Sequence, residues 1–178
     1  SIFYLSEEEK KWAQRKRDEL STNKPILAIC TKSKEPVKNW PTEQWAKLIP
    51  ELLPNYLIIQ LGDKNEPKFE GVTKYAGELN MRESAAILSQ SDHFIGPDSL
   101  LMHMANGLEI PSTIIFGGSR PVGCFGYEQN NNLINTPECS PCWIHEGYEV
   151  CKNDLVCMAN IAASQISSNL QTKLINKR

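Results

Sequence analysis

Asp98, Ser99 and His103 bring a carboxylate, a hydroxyl and an imidazole into the short stretch "GPDSLLMHM". A helix starting near Ser99 presents unpaired backbone N–H groups and the positive end of its dipole. That end suits a phosphate, and the Ser99 hydroxyl adds a donor. His103 follows four residues later, so it lies on the same helical face and reaches the same ligand. The competing structural explanation is plain: Asp98 or Ser99 is only an N-cap, and His103 is a packed histidine. The corner alone does not decide between them.

Three other segments hold comparable groups. Thr31, Lys32, Lys34 and Lys38 make a basic loop before "NWP", in which Lys32 and Lys34 read as solvated lysines. Gly62 is followed by Glu66, a carboxylate placed to meet a ribose diol, although taken singly it reads as a surface glutamate. "FGGSRP" supplies Gly117, Gly118, Ser119 and Arg120, a flexible loop able to approach an anion closely. A lysine, a carboxylate, an Asp-Ser-His corner and a Gly-Gly-Ser-Arg loop together point to a nucleoside diphosphate ligand.

Elements must deliver these groups to one place. Apolar runs at 25–31, 56–62, 72–77, 93–96 and 112–117 read as buried strands. Ser6 with Glu9, and Asn80 with Glu83, form capping boxes that open helices. "WPTEQWAKLIPELLP" and "SLLMHMANGL" are also helical, and a polar helix closes the chain from about 162 to 175. Strands alternating with helical segments predict parallel βαβ units with right-handed crossovers. Strands that are apolar nearly throughout predict helices on both faces of the sheet. The expected fold is α/β, a Rossmann-like doubly wound sheet over residues 1–178, with each candidate group at the carboxyl end of a strand. A cysteine-rich segment at 137–158 falls outside this pattern.

Composition narrows the function. The 178 residues are 40% apolar and 22% charged with a formal charge of −2, which suits one globular domain. It argues against a nucleic-acid binder, which needs a basic surface. No apolar run is long enough to span a bilayer, and "SIFYLSEEEKK" does not read as a secretory leader, so the expected location is cytoplasmic. Cys30 and Cys124 read as packed thiols. Cys139, Cys142, Cys151 and Cys157 form C-x2-C-x8-C-x5-C. Four thiolates suit tetrahedral zinc or iron in a structural role, with His145 as a competing ligand. Disulfides and free thiols are the alternatives.

"VKNWPTEQWAKLI", "QLGDKNE" and "ILSQSDHFIGPDSLLMHMANGLEIPSTIIFG", in that order, resemble the C-terminal half of family 9 glycosyltransferases, the heptosyltransferases of lipopolysaccharide assembly. The cysteine-bearing tail resembles a segment of many members. The resemblance implies a GT-B enzyme whose two Rossmann-like domains face across a cleft, this half binding a nucleotide-sugar, commonly ADP-heptose. It places Lys38 at the diphosphate, Glu66 at the ribose, and Asp98, Ser99 and His103 around sugar and phosphates. Leu100 departs from the family pattern, which has glycine there.

The resemblance also implies inverting glycosyl transfer needing no cofactor. No catalytic residue is expected in this half, because the acceptor domain carrying the general base is missing from the chain. The expected donor contacts are Lys38, Glu66, Asp98, Ser99, His103, Thr31, Gly117 and Arg120. Expected partners are the nucleotide-sugar and, through the absent domain, a glycan or lipid-linked acceptor, with peripheral membrane association of the full-length enzyme and no nucleic acid. The alternative is a non-catalytic nucleotide or sugar-nucleotide binding module.

Overall fold

A computed structural model of the chain describes residues 2–144 and 151–175. Among the described residues, six strands form one sheet in the order β3-β2-β1-β4-β5-β6. They are β1 (Ile26–Ile29), β2 (Leu57–Gln60), β3 (Thr73–Lys74), β4 (His93–Pro97), β5 (Ser112–Phe116) and β6 (Asn131–Ile134). Every neighbouring pair is parallel. The helices are α1 (Glu7–Glu19), α2 (Thr42–Leu52), α3 (Met81–Leu88), α4 (Leu100–Gly107), α5 (Val122–Phe125), α6 (Val156–Ala159) and α7 (Ala163–Ile175). The expected doubly wound architecture is present.

The uniformly apolar strands have the expected cause. Along β1, Ile26 and Ala28 face one side while Leu27 and Ile29 face the other, and all four are buried. On one face Leu27, Ile29, Ile58, Ile95 and Ile115 pack with Trp45, Leu48 and Leu52 of α2 and with Ile166 and Leu170 of α7. On the other, Ile26, Ala28, Ile59, Phe94 and Ile114 pack with Leu88 of α3 and Met102 and Ala105 of α4. Trp40 stacks edge-on against Trp45, their ring centroids 5.2 Å apart, and its indole N–H donates to the Ile161 carbonyl at 2.9 Å. This contact ties the segment before α2 to the C-terminal elements.

Both capping boxes form. Ser6 Oγ accepts from the Glu9 N–H at 3.2 Å while Glu9 Oε2 accepts from the Ser6 N–H at 2.7 Å. Asn80 and Glu83 repeat the exchange at 2.9 and 2.8 Å.

The strand order places the site. Residues before β4 build the β1-β2-β3 half of the sheet, and the chain then crosses back to lay β4 on the other side of β1. The crossovers leaving β1 and β4 therefore diverge, opening a crevice at the carboxyl ends of those two strands. Gly96 allows the close approach there. A Cβ on it would stand 2.7 Å from Phe94 Cζ and 3.2 Å from the Cys30 carbonyl oxygen of β1's exit.

Candidate functional site

The crevice is a cleft of about 480 Å³. The loop after β1 supplies Lys32, Ser33, Lys34, Glu35 and Lys38, and the turn into α4 supplies Asp98, Ser99, Leu100 and His103. Two of the predicted segments, far apart in sequence, thus line one cavity together.

Lys38 is the centre of the polar wall. It ends a short 3-10 turn, Pro36–Lys38, and its Nζ lies 2.8 Å from Asp98 Oδ2 and 2.9 Å from Glu35 Oε1. Glu35 Oε2 in turn lies 3.0 Å from Arg120 Nη2. Two cations and two carboxylates thus alternate along Asp98, Lys38, Glu35 and Arg120, all with side chains less than one-fifth exposed. Such a buried network persists because each charge is paired. Arg120 does not line the cleft itself. Its guanidinium sits 5.0 Å from the Phe125 ring centroid and reaches the site through Glu35.

Ser99 is the N-cap residue of α4 but caps nothing. Its hydroxyl oxygen is buried without a hydrogen-bond partner of ordinary geometry, the soft Cys30 thiol being its polar neighbour. An orphaned hydroxyl beside open N–H groups at a helix N-terminus is a place an anion can fill. His103 lies exposed one turn along the same helix, with its N–H reaching back to the Ser99 carbonyl at 3.4 Å. Its Nδ1 lies 2.8 Å from the Tyr127 hydroxyl, and the two rings meet edge-on. Tyr127 thereby holds the ring through Nδ1 and leaves Nε2 as its other polar atom. Leu100, the departure from the family glycine, is 58% exposed and lines the cleft with Leu79, Met81 and Met104. These side chains make part of the cleft lining apolar.

Besides Arg120, three expected contacts lie off the cleft lining. Glu66 is buried, not open at a sheet edge. Its oxygens accept from the N–H groups of Thr31 (2.9 Å) and Lys32 (3.0 Å), from the Thr31 hydroxyl, and from Gln60 Nε2 (3.1 Å). A buried carboxylate needs several donors, and those nearest belong to the exit of β1. Glu66 thus pins the basic loop from beneath. Gly62 makes room for it, since with φ +128° a Cβ there would lie 2.6 Å from Glu66 Oε1. Thr31, bonded to Glu66, is likewise buried and does not line the cleft. Gly117 faces elsewhere, because a Cβ on it would meet Met158 Sδ at 2.8 Å. Its small size serves packing against α6.

Cys30 lies under the cleft. Burial first, then the negative charge of Glu66, pushes its thiol well above the usual cysteine range, so it stays protonated. Cys139, Cys142, Cys151 and Cys157 all line a second cavity of about 660 Å³, with Gly118, Val156 and Lys152. Burial raises Cys157, and the neighbouring Cys151 and Cys142 add to the shift. The chemistry of four thiolates fits a metal, but among the described residues no three ligating side chains are drawn together in coordination geometry. His145 lies outside the described residues.

Sequence reasoning missed Glu35 and Tyr127. Glu35 carried one local signal, standing three residues before Lys38 at the spacing of a 3-10 turn; Tyr127 carried none.

The family model for glycosyltransferase family 9 (heptosyltransferase) matches residues 3–151. The chain belongs to glycosyltransferase family 9. Among curated relatives of this family 9 chain, the lipopolysaccharide heptosyltransferase 2 of Salmonella typhimurium is 24% identical over 117 residues. That match takes in 57% of the chain and 34% of the relative. The chain thus spans about a third of the relative's length. The E. coli ADP-heptose lps heptosyltransferase II structure superposes with a TM-score of 0.73 at 20% identity, over 99% of this chain and 54% of that one. The iron-containing dodecameric glycosyltransferase TibC from enterotoxigenic E. coli H10407 gives 0.74 at 20% identity, over 88% and 46%. At these identities the structural likeness speaks for the Rossmann-like fold.

Proposed function

We propose that this family 9 chain is the donor-binding half of an inverting glycosyltransferase of GT-B architecture, acting in lipopolysaccharide or surface-glycan assembly. Its cleft takes a nucleoside diphosphate sugar, of which ADP-heptose is the leading member. The observation that carries this reading is the convergence of Lys38, Asp98, Ser99 and His103 on one cleft at the switch point of the sheet. The matched E. coli structure is named for ADP-heptose, and TibC has also been solved in complex with ADP-D-β-D-heptose. Both names support the donor class.

The chemistry follows from where charge develops. As an acceptor hydroxyl displaces the nucleoside diphosphate from the anomeric carbon, negative charge grows on the leaving phosphates. Preorganised donors lower that barrier. Lys38, the N–H groups at the start of α4 and the Ser99 hydroxyl are those donors, and His103 Nε2 and Asp98 hold the sugar hydroxyls or a phosphate oxygen. The acceptor and the general base belong to the partner domain. A cytoplasmic site of action with peripheral membrane contact fits this role, and among the described residues no helix is long and apolar enough to cross a membrane.

Titration calorimetry with ADP tests the reading. Saturable binding is expected, weakened at least tenfold by Lys38→Ala, as loss of a charged contact of about 1.5–3 kcal/mol requires. Absence of heat and of any thermal shift at millimolar ADP would remove the donor site.

The second cavity is the place for a structural zinc or iron ion held by Cys139, Cys142, Cys151 and Cys157. Its support is that all four thiols face one space and that TibC is an iron-containing relative in fold. Elemental analysis of protein purified under reducing conditions should give about one metal per chain, falling on Cys139→Ser with Cys142→Ser. Metal-free protein of unchanged stability would leave these as free thiols.

A further inference from the structure

The donor reading leaves a problem of charge. Lys38, the cation assigned to the diphosphate, is already held by two carboxylates. The alternating network of Asp98, Lys38, Glu35 and Arg120 sums to zero. A diphosphate entering beside it meets no net attraction from these four groups. Some member must yield.

We propose that Glu35 is a resident stand-in for a ligand phosphate, and that it surrenders Lys38 and Arg120 to the diphosphate when donor binds. This rests on the donor reading of the cleft. Its two oxygens bridge the two cations, Oε1 at 2.9 Å from Lys38 Nζ and Oε2 at 3.0 Å from Arg120 Nη2. Two oxygens of one phosphate bridge a lysine and an arginine in the same manner.

The position of Glu35 makes the exchange feasible. It lines the cleft, so an incoming anion meets it directly. It is the N-cap residue of the 3-10 turn Pro36–Lys38 but makes no capping bond with its side chain, so its carboxylate can turn away without unravelling that turn. Asp98 is less free. It is buried where β4 passes into α4, and it continues to orient Lys38 after Glu35 leaves. Arg120 remains over the Phe125 ring and keeps its direction. The exposed Lys32 and Lys34 on the same loop also line the cleft and stand ready for the displaced carboxylate.

Glu35 thereby becomes a specificity residue. A weak monoanion does not repay the loss of the Glu35 contacts with Lys38 and Arg120, whereas a diphosphate, with more charge and more oxygens, does. The cleft keeps its cations paired until a ligand of sufficient charge arrives.

The direction of a charge-removing substitution separates this role from a structural one. If Glu35 only props the site, its loss weakens ligand binding. If it competes with the ligand, its loss tightens binding. Calorimetry with inorganic diphosphate and with ADP should be run on wild type, Glu35→Gln, Glu35→Ala and Glu35→Gln with Lys38→Ala. Circular dichroism and melting temperature verify the fold of each. Both single variants should bind about tenfold more tightly than wild type, the weight of one unit charge removed from beside the ligand in a half-buried site. The double variant should lose that gain. Unchanged or weaker binding by folded Glu35→Gln and Glu35→Ala overturns the proposal while wild-type ADP binding leaves the donor reading standing. No binding by any of the proteins removes both.

Discussion

At the scale of single residues, the site depends on groups that hold other groups. Tyr127 is an example: its hydroxyl, 2.8 Å from His103 Nδ1, engages that ring nitrogen and holds the imidazole. Tyr127→Phe should weaken ADP binding about fivefold, the worth of one hydrogen bond of about 1 kcal/mol, while the melting temperature barely moves. Calorimetry beside a thermal melt checks both halves. Unaltered affinity would show that the pair serves only packing. Tyr127 was not legible in the sequence, and Glu35 showed only its spacing from Lys38. The grip of Glu35 on Arg120 spans 85 residues, and Tyr127 lies in a stretch without periodicity. Lys38, Asp98, Ser99 and His103 were legible as candidates because the strand pattern put their segments beyond strand carboxyl ends and the family resemblance singled them out. Glu66 was legible as a special carboxylate but not as a buried one, since burial depends on which backbone N–H groups the fold brings to it.

At the scale of elements, the local signals were strong where they were self-contained. Both capping boxes form because their partners lie three residues apart. One of them gains a tertiary role: Glu9 of α1 is also paired with Arg82 of α3. That hydrogen bond first, and the Ser6 N–H second, bring the Glu9 carboxyl from 4.5 to about 2. With its folded value below the unfolded one, the unfolded chain binds the proton more readily between the two. The stabilisation is therefore present above about pH 4.5 and is lost as pH falls toward 2. Melting temperature followed over this range should decline less steeply in Arg82→Ala than in wild type. The Arg82 side chain is 50% exposed, so solvent screens the pair and the difference is small; parallel profiles would assign the acid response to other carboxylates. β6 escaped sequence reading for a different reason. "NNLI" is short and half polar, and it becomes a strand only by pairing with β5 at the sheet edge. The four-residue helices α5 and α6 likewise carry too few residues to show a period.

At the scale of the whole molecule, the parallel two-faced sheet was legible in the near-continuous apolar strands, while the strand order was not. Periodicity says which segments are strands but not that β4 returns to the far side of β1, and the cleft exists because it does. The central claim is therefore spatial: a nucleoside diphosphate sits between the exits of β1 and β4. Amide chemical shifts of the isotope-labelled chain, followed by NMR during titration with ADP, test it most directly. Saturable shifts are expected to concentrate at residues 32–38 and 98–103, with Cys139, Cys151 and Cys157 of the second cavity unmoved. Shifts confined to that second cavity, or none at saturating ADP, would contradict it.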